Sequence, residues 1–279
     1  MSARIDAHVH LWNRATDPQD WIDPATMGAI DRDFGTAELR AMLAATGCGR
    51  AVVVQASNSL DESIRLAAAD PEAVAGLVAW VDLTGDVAAQ LDRIREAATV
   101  PVVGIRHLAQ IDPDPQWLLR PDVGHGLDVL EAVGVSFDLV VRDWQLGQAA
   151  QVAGRHPGLT FVLDHLGGPP VPGLDASEWE AALRLLARSP NVFCKVSGLS
   201  SGLAPGSWTA DGLRPRIDVA LDAFGPSRLM YGSDWPLAEL GGGAPLWKDA
   251  VSSLLSGLSA AEADRVFGGT AVEAYSLEA

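Results

Sequence analysis

Cysteine is nearly missing from this sequence: Cys48 and Cys194 are the only two. Two thiols cannot build a disulfide framework, and their separation has none of the short spacing of a zinc finger. Lysine is as scarce, with Lys195 and Lys248 alone. The formal net charge is −16, and no basic face stands out, which argues against a phosphate-backbone partner such as nucleic acid. The acidic surface serves solubility. No stretch approaches the ~18 uninterrupted apolar residues of a membrane span. Arg4 and Asp6 interrupt the first residues, so a signal peptide is not expected. Together these absences lead to the expectation of a soluble, cytoplasmic protein with no membrane partner. Long Pro-, Gly- or Ser-rich linkers are missing too, and residues 1–279 are expected to form one domain.

What is present is an ordinary globular mixture, 48% hydrophobic and 20% charged. The opening stretch "RIDAHVHLW" sets two histidines in an apolar run. In a regular strand, alternation puts Asp6, His8 and His10 on one face and Ile5, Ala7, Val9 and Leu11 on the other. The polar face is costly to bury unless something binds the imidazole nitrogens. Two adjacent imidazoles suit a metal ion or a reacting group, although ordinary hydrogen bonding accounts for such a pair equally well.

Further along, eight β-branched runs alternate with amphipathic segments: "RIDAHVHL", "RAVVVQAS", "AGLVAWVDL", "VVGIRHLA", "SFDLVV", "TFVLDHLG", "NVFCKVSGL" and "RLMYGSDWP". Ser177 with Glu180, and Ser259 with Glu262, read as capping boxes. Eight strands alternating with helices over this length predict an α/β fold, a single (β/α)8 TIM barrel. A doubly wound sheet usually carries a glycine-rich loop after its first strand, and none is present. "WNRATDPQDWIDPATMGAIDRDFG" and "GGPPVPGLD" read as loops over the mouth of such a barrel. Active sites of this fold lie at the C-terminal strand ends. His8, His10, Arg106, His107, Asp138, Asp164, His165, Lys195, Ser197 and Asp234 gather there.

The motifs "IDAHVHLW", "GIRH", "LDHLGGP", "CKVSGL", "YGSDWP" and the closing "FGGTAVEAYSL" fall in order along nearly the whole chain. In this the sequence resembles the amidohydrolase superfamily, and within it the amidohydrolase-related branch that holds sugar lactonases of the L-fuconolactonase and L-rhamnonolactonase type. The resemblance implies hydrolysis of a small sugar-derived lactone by an activated water. It implies that His8 and His10 bind a divalent metal, that Asp234 activates the water and joins the ligand set, and that His165 orients or polarises the scissile group.

Two departures narrow this. The fourth strand has no lysine to bridge a binuclear centre, and the fifth has no histidine, leaving Asp138 as a substitute ligand or nothing. The expectation is one divalent ion at most, zinc or manganese before magnesium, with metal-independent action left open. A metal-dependent decarboxylase on the same scaffold and a non-catalytic metabolite-binding barrel are the competing readings.

Arg106 is expected to point into the barrel and His107 away from it. Asp164, opposite His165 by alternation, is expected to bond a neighbouring helix. Lys195 reads either as a contact to substrate oxygens or as half of a buried ion pair. Trp12 and Trp235, with Trp21 and Trp144, stand near strand ends, where an indole stacks on a sugar face or simply packs. His125 and His156 are read as solvated.

Overall fold

The computed structural model describes residues 4–278. Eight parallel strands follow one another around a sheet in sequence order: β1 (Ile5–Val9), β2 (Arg50–Val54), β3 (Val74–Ala79), β4 (Val102–His107), β5 (Ser136–Leu139), β6 (Phe161–Leu163), β7 (Val192–Val196) and β8 (Leu229–Tyr231). The connecting helices are α1 (Thr36–Thr46), α2 (Leu60–Ala67), α3 (Val87–Glu96), α4 (Pro121–Val133), α5 (Leu146–Arg155), α6 (Ser177–Leu186), α7 (Ala210–Phe224) and α8 (Ala244–Leu254). The expected barrel is therefore present. A parallel bridge between Val9 and Trp235 closes its seam. His10 N donates to Trp235 O (2.7 Å) and Asp234 N to His8 O (2.9 Å), so the seam closes at the two histidines.

Two apolar clusters explain why these runs become buried strands. Ala51 and Val53 pack outward under the helices, whereas Val52 and Val54 join an interior cluster that Tyr275 and Leu277, following α9 (Ala260–Asp264) and α10 (Thr270–Ala274), help to form. The first strand breaks strict alternation. Ile5 and Ala7 belong to the interior cluster, but Val9 and Leu11 belong to the helix-facing one. The pairing with β2 shifts between Asp6 and Val9, so one extra residue is accommodated there. This corrects the single-face expectation for Asp6, His8 and His10. Asp6 instead accepts from His8 N (3.2 Å) and Ser233 N (2.8 Å), and its charge is felt by Cys48 and Tyr231 of the outer cluster.

The caps divide. Ser259 accepts from Glu262 N and Glu262 reaches back to Ser259 N, as expected. Ser177 is the first residue of α6 rather than its cap, and its N–H donates to Asp175 Oδ1 (3.0 Å). The sequence offers two acceptors there, and the aspartate two residues earlier is the one used. The long segment after β1 carries no helix, and its ends are pinned by Trp12 N to Phe34 O (3.1 Å) and Phe34 N to Trp12 O (2.9 Å).

Candidate active site

His8 and His10 point into the barrel mouth with their Nε2 atoms 3.2 Å apart. His10 Nδ1 lies 2.7 Å from Val54 O, and a carbonyl only accepts, so Nδ1 carries the proton and Nε2 the lone pair. His8 Nδ1 lies between Asp164 Oδ1 (3.2 Å) and Lys195 Nζ (3.1 Å); with its proton directed to Asp164, Nε2 carries a lone pair as well. Burial, with Lys195 adding to it against the pull of Asp164, holds the His8 imidazole well below its usual value and therefore neutral.

Asp234 enters from the turn after β8 with φ 60°, a left-handed conformation that an aspartate tolerates better than most residues. Gly232 makes this approach possible, because a Cβ there would lie 2.8 Å from His8 Cβ. Ser201 Oγ donates to Asp234 Oδ2 (2.7 Å). Oδ1 is buried without a hydrogen-bond partner, 3.7 Å from His8 Nε2 and 3.5 Å from His10 Nε2. Burial alone would raise this carboxyl, but the positive charge that His165, His10 and His8 carry when protonated more than offsets it. A proton shared by this cluster therefore sits on an imidazole, and Asp234 stays ionised, well below the usual carboxylate range.

With His8 in that tautomer, three electron-rich atoms face one point. They repel one another unless a cation lies among them. A tetrahedral ion with bonds of about 2.1 Å sets its donors about 3.4 Å apart, which these separations match. Neutral imidazoles and an ionised carboxylate are also the protonation states a divalent ion needs. The residues fit a single ion.

His165 takes φ 53°, as does Leu166, so the chain turns sharply after β6. Its Nδ1 pairs with Ser197 Oγ (2.9 Å), and Nε2 lies 4.0 Å from Asp234 Oδ1. Burial lowers its pKa, opposed by Asp234 and Asp164, so it too is neutral near pH 7. With its side chain 23% accessible, it is the most open member of the set. Gly198 presses against it, since a Cβ there would lie 2.4 Å from His165 Nδ1.

The left-handed turn also corrects the placement of Asp164. It points inward together with His165, and is bound by Arg106 (2.9 Å) and Lys195 (2.8 Å) beneath His8. Arg106 is inward, as expected, with its guanidinium on Asp164 and on Gln55 O. Lys195 has no exposure: Nζ pairs with Asp138 (2.6 Å) and Asp164, the ion-pair alternative. Asp138 also accepts from Tyr275 Oη (2.7 Å) and stands in neither of the candidate ligand groups among the described residues. Trp12 and Trp235 are buried against Phe34, and the Trp12 ring also stacks on His10 at 6.5 Å. His107 turns away and stacks on Trp117 at 3.7 Å. His156 is buried against Asp128 (3.1 Å) rather than solvated, because it caps α5 where that helix meets α4.

Sequence reasoning alone passed over Gln55, Ser201, Gly198 and Tyr275. For the inward turn of Asp164 the one available signal is the pair Gly167–Gly168, both at positive φ, three and four residues further on.

An eight-stranded parallel barrel whose first, sixth and eighth strands bring imidazoles and a carboxylate to one rim is the arrangement of a barrel enzyme. The amidohydrolase family model matches residues 5–277, and the chain belongs to that family of hydrolases. It is 36% identical over 288 residues to an L-fucono-1,5-lactonase of Burkholderia ambifaria, covering 100% of this chain and 97% of the relative. It is also 36% identical to an L-fucono-1,5-lactonase of Burkholderia multivorans, covering 98% and 96% of the two chains. A crystal structure of an amidohydrolase from Burkholderia multivorans with bound zinc is similar at a TM-score of 0.90 and 34% identity, covering 99% of this chain and 100% of that one. Among the described residues, no helix is long and apolar enough to cross a membrane.

Proposed function

We propose that the protein hydrolyses a sugar-derived lactone, an aldonolactone, with Asp234 as the general base. The observation that carries this is the buried, unpartnered Oδ1 of an ionised Asp234 facing two neutral imidazoles. The lactonase names of relatives covering the whole chain support the substrate class.

A lactone is a strained, activated ester, so its opening needs a positioned water, a base and stabilisation of one oxyanion. The Asp234 carboxylate takes the water's proton as oxygen attacks the carbonyl carbon. Ser201 fixes the other carboxylate oxygen and so sets the direction of the free one. With the Ser197 hydroxyl donating to His165 Nδ1, the proton of that imidazole sits on Nε2 and stabilises the oxyanion. Collapse of the tetrahedral adduct breaks the bond to the ring oxygen, and the proton on Asp234 passes to that leaving oxygen. Water and lactone become one hydroxy acid. Arg106 and Lys195 act from below by neutralising Asp164 and Asp138 and holding His8. His8, His10 and Asp234 would hold a divalent ion, and zinc is the ion found in the similar crystal structure. Such an ion would polarise the carbonyl and lower the pKa of bound water.

Acid release from a panel of aldono-1,4- and aldono-1,5-lactones, in weak buffer beside an enzyme-free control, tests the reading. At least one lactone should open much faster than it does spontaneously; no acceleration of any, with or without added zinc, would overturn it.

A further inference from the structure

A cavity of ≈ 390 Å³ lies between the segments that follow β1, β2 and β4. It starts close to the site. His10 holds Val54 O, Gln55 O holds Arg106, and the next two residues, Ala56 and Ser57, line the cavity. Two residues of chain span at most about 7 Å.

Its walls are fixed from below by Glu62, which is fully buried. That carboxylate accepts from Ala56 N, Ser57 N, Ser57 Oγ and Gln19 Nε2. Gln19 Oε1 in turn accepts the indole proton of Trp21 (2.8 Å), which orients the Trp21 ring at the cavity wall. Leu108 and Ile111 complete the apolar side. Among the described residues Arg65 is the one cation of the lining and is paired with Asp17, which leaves the Asp20 carboxylate, so nothing here favours an anionic ligand.

Asn58 supplies the free polar group. Trp80 Nε1 can only donate, so His107 Nδ1 accepts from it (3.1 Å) and the ring proton lies on Nε2. That proton goes to Asp112 Oδ2 (2.8 Å). His107 Nε2 therefore cannot accept from Asn58 Nδ2, although the two lie 3.4 Å apart. Asn58 Oδ1 is committed to Leu108 N (3.0 Å). Both protons of Nδ2 are left for a ligand at a cavity wall that also carries an indole.

A pocket with no unpaired cation that combines an aromatic ring with unspent amide donors suits the C–H face and hydroxyl oxygens of a neutral sugar. We propose that this cavity receives the hydroxyl-bearing part of the lactone and that Asn58 Nδ2 donates to a substrate hydroxyl oxygen, making Asn58 a specificity-determining residue. This inference rests on the lactonase reading above.

The test compares kcat/KM for the best aldonolactone with kcat/KM for δ-valerolactone, which has the ring but no hydroxyls. Asn58→Asp keeps the acceptor for Leu108 N and removes both donors; Asn58→Ala removes both functions. In each variant the ratio of the two kcat/KM values should fall about tenfold, the loss of one hydrogen bond. An unchanged ratio in Asn58→Asp, whether because both substrates suffer equally or because neither does, overturns the inference. A wild-type enzyme that opens no lactone overturns the lactonase reading instead, and this inference with it.

Discussion

Asp6 and Asp234 are both buried carboxylates, and their surroundings drive them in opposite directions. Asp234 is flanked by imidazoles and stays ionised. Asp6 has only a serine and backbone N–H groups for partners, and burial pushes its carboxyl up to about 6 from an ordinary 3.8. Between those two values the folded state holds a proton that the unfolded state releases. Stability therefore falls as pH rises through that window and stays lowered above it. Asn cannot ionise, so Asp6→Asn should gain about 1.4 kcal/mol on the wild type between pH 5 and pH 8, the part of the linkage that falls above pH 5. Urea unfolding of both proteins at the two pH values checks this; a difference independent of pH would mean that Asp6 does not carry the raised pKa. The two histidines at the end of β1, His8 within it and His10 just beyond, were legible because their polarity is out of place in an apolar run. The inward turn of Asp164 was not, because alternation holds only while the backbone is extended and His165 leaves that region at once.

At the scale of elements, two of the glycines that admit a close approach, Gly232 and Gly198, serve the site. Gly198 has φ +71° and stands where a Cβ would meet His165. Gly198→Ala should destabilise by about 1–3 kcal/mol through backbone strain alone, and should also lower turnover by moving His165. Thermal melts and kinetics on the same preparation check both. The helix starts give a sharper contrast. Ser259→Ala removes a working cap and should cost about 1 kcal/mol. Ser177→Ala, where Asp175 and not Ser177 accepts the first helical N–H, loses one exposed hydrogen bond to Asp175 and should stay within about 0.5 kcal/mol. All eight strands could be read from periodicity and turn residues, since each run is short, apolar and bounded by breakers. Their register could not, and the extra residue in β1 changes which side chains face the interior without leaving a mark in composition.

Across the whole molecule, the barrel carries its charges in layers. His8, His10, His165 and Asp234 lie at the rim, above a buried layer of Arg106, Asp164, Lys195 and Asp138 that Tyr275 joins from the C-terminal segment. One set of three donors fits one ion, and the other candidate group, His8, Asp164 and His165, shares His8 with it and has Asp164 occupied by Arg106 and Lys195. Zinc titration should therefore saturate at one ion per chain and raise the thermal midpoint, because a ligand that binds only the folded state stabilises it. His10→Ala should abolish that rise, and two tightly held ions per chain would contradict the assignment.

The central claim is that the unpartnered oxygen of Asp234 takes the proton from water. Asp234→Asn keeps the shape, and an amide cannot act as that base. With folding confirmed by circular dichroism, turnover of a lactone that the wild type opens should fall by roughly 10²–10⁴. A folded variant that keeps more than about a tenth of wild-type activity would contradict the account.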